Sequence, residues 1–247
     1  MPDLSGKKIV ITGGTTGMGL ATAEYFLARG ASVLVTGRSQ SSLQRARAVL
    51  GDAATVVQSD AGVLADIDAL ADTVRDRFAA VDLLFLNAGV TVGASVFDVT
   101  EPVYDDVFAV NTKGAFFTAQ KLAPLVIDGG AIVLTTSAAN VQGMAGSSVY
   151  AGSKAALRSF TRAFARELLP RGIRVNAISP GPIDTGILDR SLPAEAADRL
   201  KAHFIATNPM QRMGTMEEIA KAVAFLGFDA TYTTGAELPV GGGVTQI

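Results

Sequence analysis

Six short runs rich in β-branched residues recur along the chain, separated by longer stretches with helical periodicity. The runs are KKIVIT (7–12), SVLVT (32–36), ATVVQ (54–58), VDLLFL (81–86), GAIVLTT (130–136) and IRVNAI (173–178). Continuous apolar runs are typical of parallel strands that are buried on both faces. Right-handed crossovers between such strands predict an α/β fold of the Rossmann type, a doubly wound parallel sheet with helices on both faces.

The alternation of strands and helices changes after the sixth run. Residues 186–209 form a longer, weakly periodic segment, which we interpret either as a lid over a substrate or as an ordinary surface helix. A helix is predicted again over 216–228 and a last strand near Glu237–Val240, which gives about seven strands. Because 247 residues fit one large α/β domain and no linker interrupts them, we expect a single domain over 1–247.

Charge and composition favour a small molecule as the partner. The 21 basic and 23 acidic side chains give a net charge of -2, which provides no basic surface for nucleic acid or an anionic membrane. The chain has no cysteine and one histidine, His203, so we expect no metal site and assign that histidine no role. No apolar stretch is long enough to span a bilayer, and a cytoplasmic protein is therefore expected.

A glycine-rich turn follows the first strand: Thr12-Gly13-Gly14-Thr15-Thr16-Gly17-Met18-Gly19. In a dinucleotide site Gly13 would permit the tight turn, Gly17 would let the backbone approach a diphosphate, and Gly19 would let the next helix pack against the sheet. A plain glycine-rich turn is the alternative, but the strand before it and the helix after it favour a dinucleotide. The predicted contacts are Gly13, Thr15, Thr16, Gly17, Met18 and Gly19.

The end of the second strand bears on which dinucleotide binds. An acidic residue at this place usually accepts the ribose hydroxyls of NAD, whereas this chain has Gly37 followed by Arg38 and Ser39. A guanidinium suits a 2′-phosphate, and Ser39 could add a hydroxyl. The sequence therefore favours NADP(H) and leaves NAD(H) open. A solvated surface role for Arg38 is the alternative.

Further polar and small residues follow the third and fourth strands. Asp60 and Ala61 lie where an adenine would bind, and Asn87-Ala88-Gly89 lie where small residues would admit the adenosine ribose. Each is by itself only a turn. Their shared position at the carboxyl edge of the sheet makes them candidate cofactor contacts.

Tyr150 and Lys154 lie four residues apart in a predicted helix, so both project from one face. A nearby ammonium favours the phenolate of a tyrosine, whose free pKa is about 10. Ser137 lies just past the fifth strand, thirteen residues before Tyr150, and Asn111 lies in a long helix that begins near Glu101. A surface tyrosine beside a lysine is the alternative for the pair alone.

Taken together, these motifs resemble the short-chain dehydrogenase/reductase family over essentially the whole chain. The resemblance implies that Tyr150 is the acid or base, that Ser137 polarises the substrate oxygen, and that Lys154 holds the nicotinamide ribose. It also implies a proton relay through a water at the main chain of Asn111. The segment Pro180-Gly181-Pro182-Ile183-Asp184-Thr185 resembles the family's loop beside the nicotinamide, which adds Pro180, Gly181, Ile183 and Thr185 to the cofactor contacts.

The resemblance further implies a homotetramer in which helices 101–125 and 148–169 pair across subunits. Three positions depart from the family pattern. Leu86 replaces a frequent asparagine, Gly37 replaces the acid of NAD-dependent members, and Gly241 replaces the usual aspartate near the C-terminus. None of them is a proton-transfer residue.

The substrate is the least determined part of the prediction. Candidate pocket residues, which could also be core, are Ala139, Val141, Met144, Pro182, Ile187 and Leu188. We expect a ketone or keto ester, with a sugar, a polyol or a 3-oxoacyl thioester as alternatives. Residues 127–130 lack the basic side chains that often precede the fifth strand in members acting on carrier-protein thioesters. A protein that senses the cofactor without turnover is the alternative of another class.

Overall fold

In the computed structural model, which describes residues 3–247, seven parallel strands form one sheet in the order β3-β2-β1-β4-β5-β6-β7. The strands are β1 Lys8–Thr12, β2 Ser32–Gly37, β3 Ala54–Gln58, β4 Val81–Leu86, β5 Val126–Thr135, β6 Arg174–Pro180 and β7 Glu237–Val240. The strand order reverses between β1 and β4, the place where ligands bind in such sheets. The predicted Rossmann-type α/β fold is confirmed.

Within residues 3–247, nine α-helices connect or follow the strands. They are α1 Gly17–Leu27, α2 Gln40–Leu50, α3 Leu64–Phe78, α4 Glu101–Phe108, α5 Ala115–Leu122, α6 Ser148–Leu168, α7 Ile187–Ser191, α8 Ala194–Thr207 and α9 Met216–Ala224. No helix within residues 3–247 has the length and apolarity needed to cross a membrane.

Two apolar cores cover the two faces of the sheet. On one face Ile9 and Ile11 of β1 pack with Phe26 of α1 and Val223 of α9. On the other, the intervening Val10 packs with residues of α3, α5 and α6. Successive residues of a strand point to opposite faces, so burial on both sides requires the continuous apolar runs seen in the sequence.

The long helix predicted from Glu101 is divided by a π-helical turn at Ala109–Gly114, between α4 and α5. The chain is crowded here, because a Cβ on Gly114 would lie 2.0 Å from the Ala61 carbonyl oxygen. Asn111 lies in this wide turn and is fully buried. Its position is therefore set by a local irregularity that helical periodicity does not reveal.

Residues 186–209 contain two helices, α7 and α8, which meet at Pro193. The Lys201 ammonium of α8 contacts both carboxylate oxygens of Asp189 in α7, at 2.6 and 2.7 Å. Asp184 donates its main-chain N–H to Gly214 O at 2.9 Å, just before α7 begins. The segment thus follows the loop after β6 and lies beside the carboxyl edge of the sheet.

Candidate active site

The glycine-rich turn between β1 and α1 leaves room that side chains would fill. Gly13 has a φ of +63°, and a Cβ there would lie 2.8 Å from Ala88 Cα. A Cβ on Gly19 would lie 2.4 Å from Gly13 O, so α1 could not pack as it does with any larger residue. The turn ends at the N-terminus of α1, where unpaired N–H groups favour an anion. This cradle fits the diphosphate of a dinucleotide.

The loop after β2 combines a steric requirement with positive charge. A Cβ on Gly37 would lie 2.3 Å from Thr15 Oγ1, so the fold excludes a side chain there while Thr15 is present. Ser39 caps α2 by accepting a hydrogen bond from Ser42 N, at 3.3 Å. Arg38 precedes this cap and is exposed, as is Arg45 further along α2. Neither arginine forms an ion pair with any carboxylate of residues 3–247.

Asn87 joins the end of β4 to the glycine-rich turn. Its side-chain amide donates to Thr12 O at 3.3 Å and Gly13 O at 3.2 Å, and Thr12 Oγ1 accepts from Asn87 N at 3.0 Å. These bonds hold the ends of two neighbouring strands together. Asp60 uses its carboxylate to accept from Gly62 N at 2.8 Å, which fixes the turn after β3.

One groove of about 510 Å³ runs along this edge of the sheet. Its lining includes the predicted contacts Gly13, Thr15, Thr16, Gly17, Met18, Gly37, Arg38, Ser39, Asp60, Ala61, Asn87, Ala88, Gly89 and Thr185. Gly19 is buried at the start of α1 and does not line the groove. Arg45, Val90 and Arg190 also line the groove but were not predicted. Of these three, Arg45 left a signal in the sequence, because it is a second basic residue in the helix that follows Arg38.

A second cavity of about 250 Å³ adjoins the groove and contains the reactive side chains. Ser137, Tyr150 and Lys154 line it, together with the predicted Pro180, Gly181, Ile183 and Thr185. The two cavities share Met18, Asn87, Gly89, Val90, Thr185 and Ile187. A hydroxyl, a phenol and an amine therefore face one space that is continuous with the groove.

Burial is the main cause of the pKa shifts of Tyr150 and Lys154. It raises the pKa of Tyr150, while the hydrogen bond to Ser137 acts in the opposite direction. Burial also lowers the pKa of Lys154 from 10.5 to about 8. The Lys154 Nζ donates to Thr135 O at 2.8 Å and lies 5.8 Å from the Tyr150 ring centroid. The spacing predicts that Lys154 favours the Tyr150 phenolate, whereas in the folded protein desolvation of the phenol outweighs the Ser137 hydrogen bond and the net pKa shift is upward.

Asn111 lies behind the cavity. Its side-chain oxygen accepts from Val90 N at 2.7 Å, and its amide donates to Val90 O at 2.9 Å and Ser153 Oγ at 3.0 Å. These bonds join the π-helical turn to the loop after β4 and to α6. The asparagine side chain thus fixes the elements around Lys154.

The six residues predicted for the substrate pocket lie in different surroundings. Ile187 lines the catalytic cavity, whereas Val141 lines a separate surface cavity with Gln142 and residues 244–247. Ala139 is buried, and Met144 is exposed. Pro182 and Leu188 are partly buried. His203, which was given no role, is exposed on α8, and residues 3–247 contain no cluster suited to a metal ion.

A larger cavity, of about 690 Å³, lies at the opposite edge of the sheet, where the strands begin. Its charged side chains already have partners: Lys7 pairs with Asp82 at 2.9 Å, and Arg174 donates to main-chain carbonyls in the segment after α9, among them Ala230 O at 3.1 Å. Ligands of doubly wound sheets bind at the other edge. We therefore place the active site at the carboxyl edge despite the smaller volumes there.

The fold and the site define a nicotinamide-dependent oxidoreductase, and comparison with known proteins gives its family. A family model described as enoyl-(acyl carrier protein) reductase matches residues 13–245. Oxidoreductase asL5 of Sarocladium schorii is 39% identical over 247 residues, which cover 99% of this chain and 98% of that protein. The 3-oxoacyl-[acyl-carrier-protein] reductase FabG of Salmonella typhimurium is 33% identical, with 98% of both chains covered.

Solved structures give the same result. A mutant short-chain dehydrogenase/reductase of Serratia marcescens superposes with a TM-score of 0.90 at 30% identity, covering 99% of this chain and 100% of that one. A blue fluorescent protein from a metagenomic library, solved in complex with NADPH, has a TM-score of 0.88 at 33% identity and covers 98% and 99%. The chain belongs to the short-chain dehydrogenase/reductase family, as its motifs predicted, and is an oxidoreductase acting on CH–OH and C=O groups.

Proposed function

We propose that this protein is an NADP(H)-dependent reductase of a ketone or keto ester. The observation that carries the proposal is the meeting of Ser137, Tyr150 and Lys154 in one cavity, continuous with a glycine-lined groove that fits a dinucleotide. When bound, the nicotinamide supplies or accepts the hydride. The protein must then position the substrate oxygen and move one proton to or from it.

Each of the three side chains has one task in this proposal. In the reducing direction the Tyr150 hydroxyl gives its proton to the substrate oxygen, and burial keeps the phenol protonated by raising its pKa. The Ser137 hydroxyl donates to the same oxygen and holds it at the phenol. Lys154, with a pKa near 8, can hold or release a proton at neutral pH, which suits the return of a proton to Tyr150. Asn111 supports the relay by fixing the surrounding main chain.

The preference for NADP(H) rests on the loop after β2. Gly37 leaves no carboxylate to repel a 2′-phosphate, and a side chain there would collide with Thr15. Arg38 and Arg45 line the same end of the groove, and neither pairs with a carboxylate in the described part of the chain. The N-terminus of α2 adds favourable N–H dipoles. The solved relative with NADPH supports the same choice, and NAD(H) remains the alternative cofactor.

For the substrate we favour a small, fairly apolar carbonyl compound, because Val90, Ile183 and Ile187 line the catalytic cavity. A 3-oxoacyl thioester is the second candidate, favoured by the FabG relative at 33% identity. The missing basic residues at 127–130 weigh little against it, since they lie at the start of β5 and Ser137 follows its far end. Turnover of a sugar or polyol in the substrate panel would identify that substrate class. Binding of NADPH without turnover of any substrate would identify a cofactor sensor.

The proposal also covers the domain organisation, the oligomeric state and the cellular location of the protein. We propose a single domain, with residues 186–209 as the substrate lid, because Ile187 lines both cavities and Arg190 lines the groove. A homotetramer is supported by half-buried rings on α5 and α6, where Phe116 lies 5.4 Å from Phe160 and 5.5 Å from Phe164. A cytoplasmic location fits the absence of cysteine.

Substitution of Tyr150 by phenylalanine tests the proposal. Tyr150→Phe should abolish oxidation of NADPH by a panel of ketones, keto esters, sugars and 3-oxoacyl thioesters, while the fluorescence of bound NADPH shows unchanged affinity. Tyr104→Phe is the matched control, because Tyr104 is exposed on α4 and stacks on Phe108. Full turnover by Tyr150→Phe would refute the assigned acid, and turnover of no substrate by the wild type would favour the cofactor sensor.

A further inference from the structure

Glu237 begins the last strand with a carboxylate that is only 12% exposed. Its Oε1 accepts hydrogen bonds from Thr136 Oγ1 at 2.5 Å and from Asn140 Nδ2 at 2.9 Å. Its Oε2 lies 3.1 Å from Arg158 Nε. Removing a carboxylate from water is costly unless it is hydrogen-bonded and its charge is balanced. Here Oε1 accepts two hydrogen bonds, and the Arg158 guanidinium balances the charge as an ion pair without a well-directed hydrogen bond from Nε.

Each partner of the Glu237 carboxylate either lies close in sequence to Ser137, Tyr150 or Lys154 or forms a hydrogen bond with one of them. Thr136 directly precedes Ser137, and Asn140 Nδ2 also donates to Ser137 O at 2.5 Å. Arg158 follows Lys154 by one turn of α6 and therefore lies on the same face of that helix. Glu237 thus joins the segment that carries Ser137 to the helix that carries Tyr150 and Lys154.

The number of protons on the Thr136 hydroxyl and the Asn140 amide determines which groups donate and which accept in this network. The Thr136 hydroxyl has one proton and two acceptors, Ile178 O at 2.8 Å and the Glu237 carboxylate at 2.5 Å, and the shorter bond to the charged group is the stronger. The Asn140 amide has two protons, one for Ser137 O and one for Glu237. Its own Oδ1 is buried and has no hydrogen-bond partner among the residues that the structure describes. The two acceptors therefore determine the orientation of Asn140 at the expense of its own oxygen.

We propose that Glu237 is a positioning residue for Ser137: through Asn140 and Thr136 it holds the serine segment against α6, so that the Ser137 hydroxyl and the Tyr150 phenol share one cavity. The expected effect on turnover rests on the proposed function, whereas the expected effect on the position of Ser137 does not. Ser137 and Tyr150 line the same cavity, and Ser137 already lowers the Tyr150 pKa in the protein alone, against the larger upward effect of burial. This effect of Ser137 can therefore be measured without any substrate or cofactor.

The titration of Tyr150 reports on this effect of Ser137. The Ser137 hydrogen bond lowers the pKa of Tyr150, so its loss should raise that pKa. Among the residues lining the cavity that the phenol faces, Lys154 carries the only other ionisable group; the contributions of α1, α7 and the loops after β4, β5 and β6 are uncharged. Removing the negative charge of Glu237 would by itself act in the opposite direction, since it makes the phenolate easier to form. The direction of the shift thus distinguishes positioning from a direct charge effect.

The experiment follows the tyrosine Cζ signals by NMR through an alkaline titration of ¹³C-labelled protein, with Tyr150→Phe to assign the resonance. Ser137→Ala sets the full effect of losing the hydroxyl. We expect Glu237→Gln to raise the pKa of Tyr150 by roughly half of that effect or more. Asn140→Ala, which leaves the carboxylate in place, should raise it as well.

Asp82→Asn is the matched control. Asp82 is 14% exposed and paired with Lys7 at 2.9 Å, but it lies at the opposite edge of the sheet. It should lower the thermal midpoint about as much as Glu237→Gln and leave the Tyr150 titration unchanged. With a substrate from the panel, Glu237→Gln should reduce kcat about 10- to 100-fold, as expected for a misplaced catalytic group, with NADPH affinity within about twofold of the wild type.

A pKa of Tyr150 that stays constant or falls in both Glu237→Gln and Asn140→Ala, while Ser137→Ala raises it, would overturn the inference. An upward shift in both variants without any turnover by the wild type would support the positioning role and reject the proposed reaction. Should Glu237→Gln fail to fold, Asn140→Ala decides the question alone.

Discussion

Lys154 should make the protein less stable at neutral pH than a neutral residue of similar shape would. Its side chain is 3% exposed, and burial lowers its pKa from 10.5 to about 8. At about 1.4 kcal/mol per pKa unit, this difference corresponds to about 3 kcal/mol of unfavourable free energy for holding the charged form in the folded state. Replacing Lys154 by methionine removes that cost together with the activity.

The sign and the pH window follow from the two pKa values. Between pH 8 and 10.5 the unfolded chain holds the Lys154 proton and the folded one has released it, so the wild type gains stability as the pH rises. Lys154→Met lacks this gain. It also loses the bond from Nζ to Thr135 O at every pH, which costs about 1–2 kcal/mol. The net result is a variant about 1–2 kcal/mol more stable than the wild type at pH 7 and less stable at pH 10.5.

Urea unfolding at pH 7, 9 and 10.5 measures this difference, provided that both proteins unfold in two states. Lys8→Met is the matched control for the lost hydrogen bond, because Lys8 Nζ donates to Phe78 O at 2.6 Å from a partly exposed position. A stability difference between Lys154→Met and the wild type that does not change over this pH range would refute the reasoning.

Two further predictions concern the choice of cofactor. Arg38→Ala should weaken NADPH binding about 10- to 100-fold, the value of one charge-assisted hydrogen bond, and leave NADH binding nearly unchanged; titration by cofactor fluorescence checks this, and equal losses for both cofactors would contradict the phosphate contact. Gly37→Asp should lower the thermal midpoint and weaken both cofactors, because its Cβ would lie 2.3 Å from Thr15 Oγ1. The double variant Thr15→Gly/Gly37→Asp should regain the midpoint and prefer NADH, and a normally stable Gly37→Asp single variant would disprove the steric argument.

Much of the fold and of the candidate site follows from local sequence patterns. Apolar strand runs set the sheet, and its parallel topology brings the carboxyl ends of the strands to one edge. This explains why residues as distant in sequence as Gly13 and Ser137 could be predicted to line neighbouring cavities at that edge. The π-helical turn around Asn111 could not be predicted, because it depends on a close contact between Gly114 and Ala61. Such contacts between distant segments leave no periodic signal.

The directions of the pKa shifts in the site also could not be predicted from the sequence. The spacing of Tyr150 and Lys154 suggests a phenolate beside an ammonium, but the direction of the pKa shifts depends on burial, which the surrounding elements determine. The network of Glu237 is similar, because its partners Thr136 and Asn140 lie about one hundred residues away in the chain. Only the folded structure reveals these contacts.

The most direct test of the account is a crystal structure of the protein with NADP⁺. We predict that the 2′-phosphate lies against Arg38, that the diphosphate lies over the turn at Gly17, and that the nicotinamide enters the cavity between Tyr150 and Thr185. A nicotinamide bound outside that cavity, or a dinucleotide at the opposite edge of the sheet, would contradict the central claim.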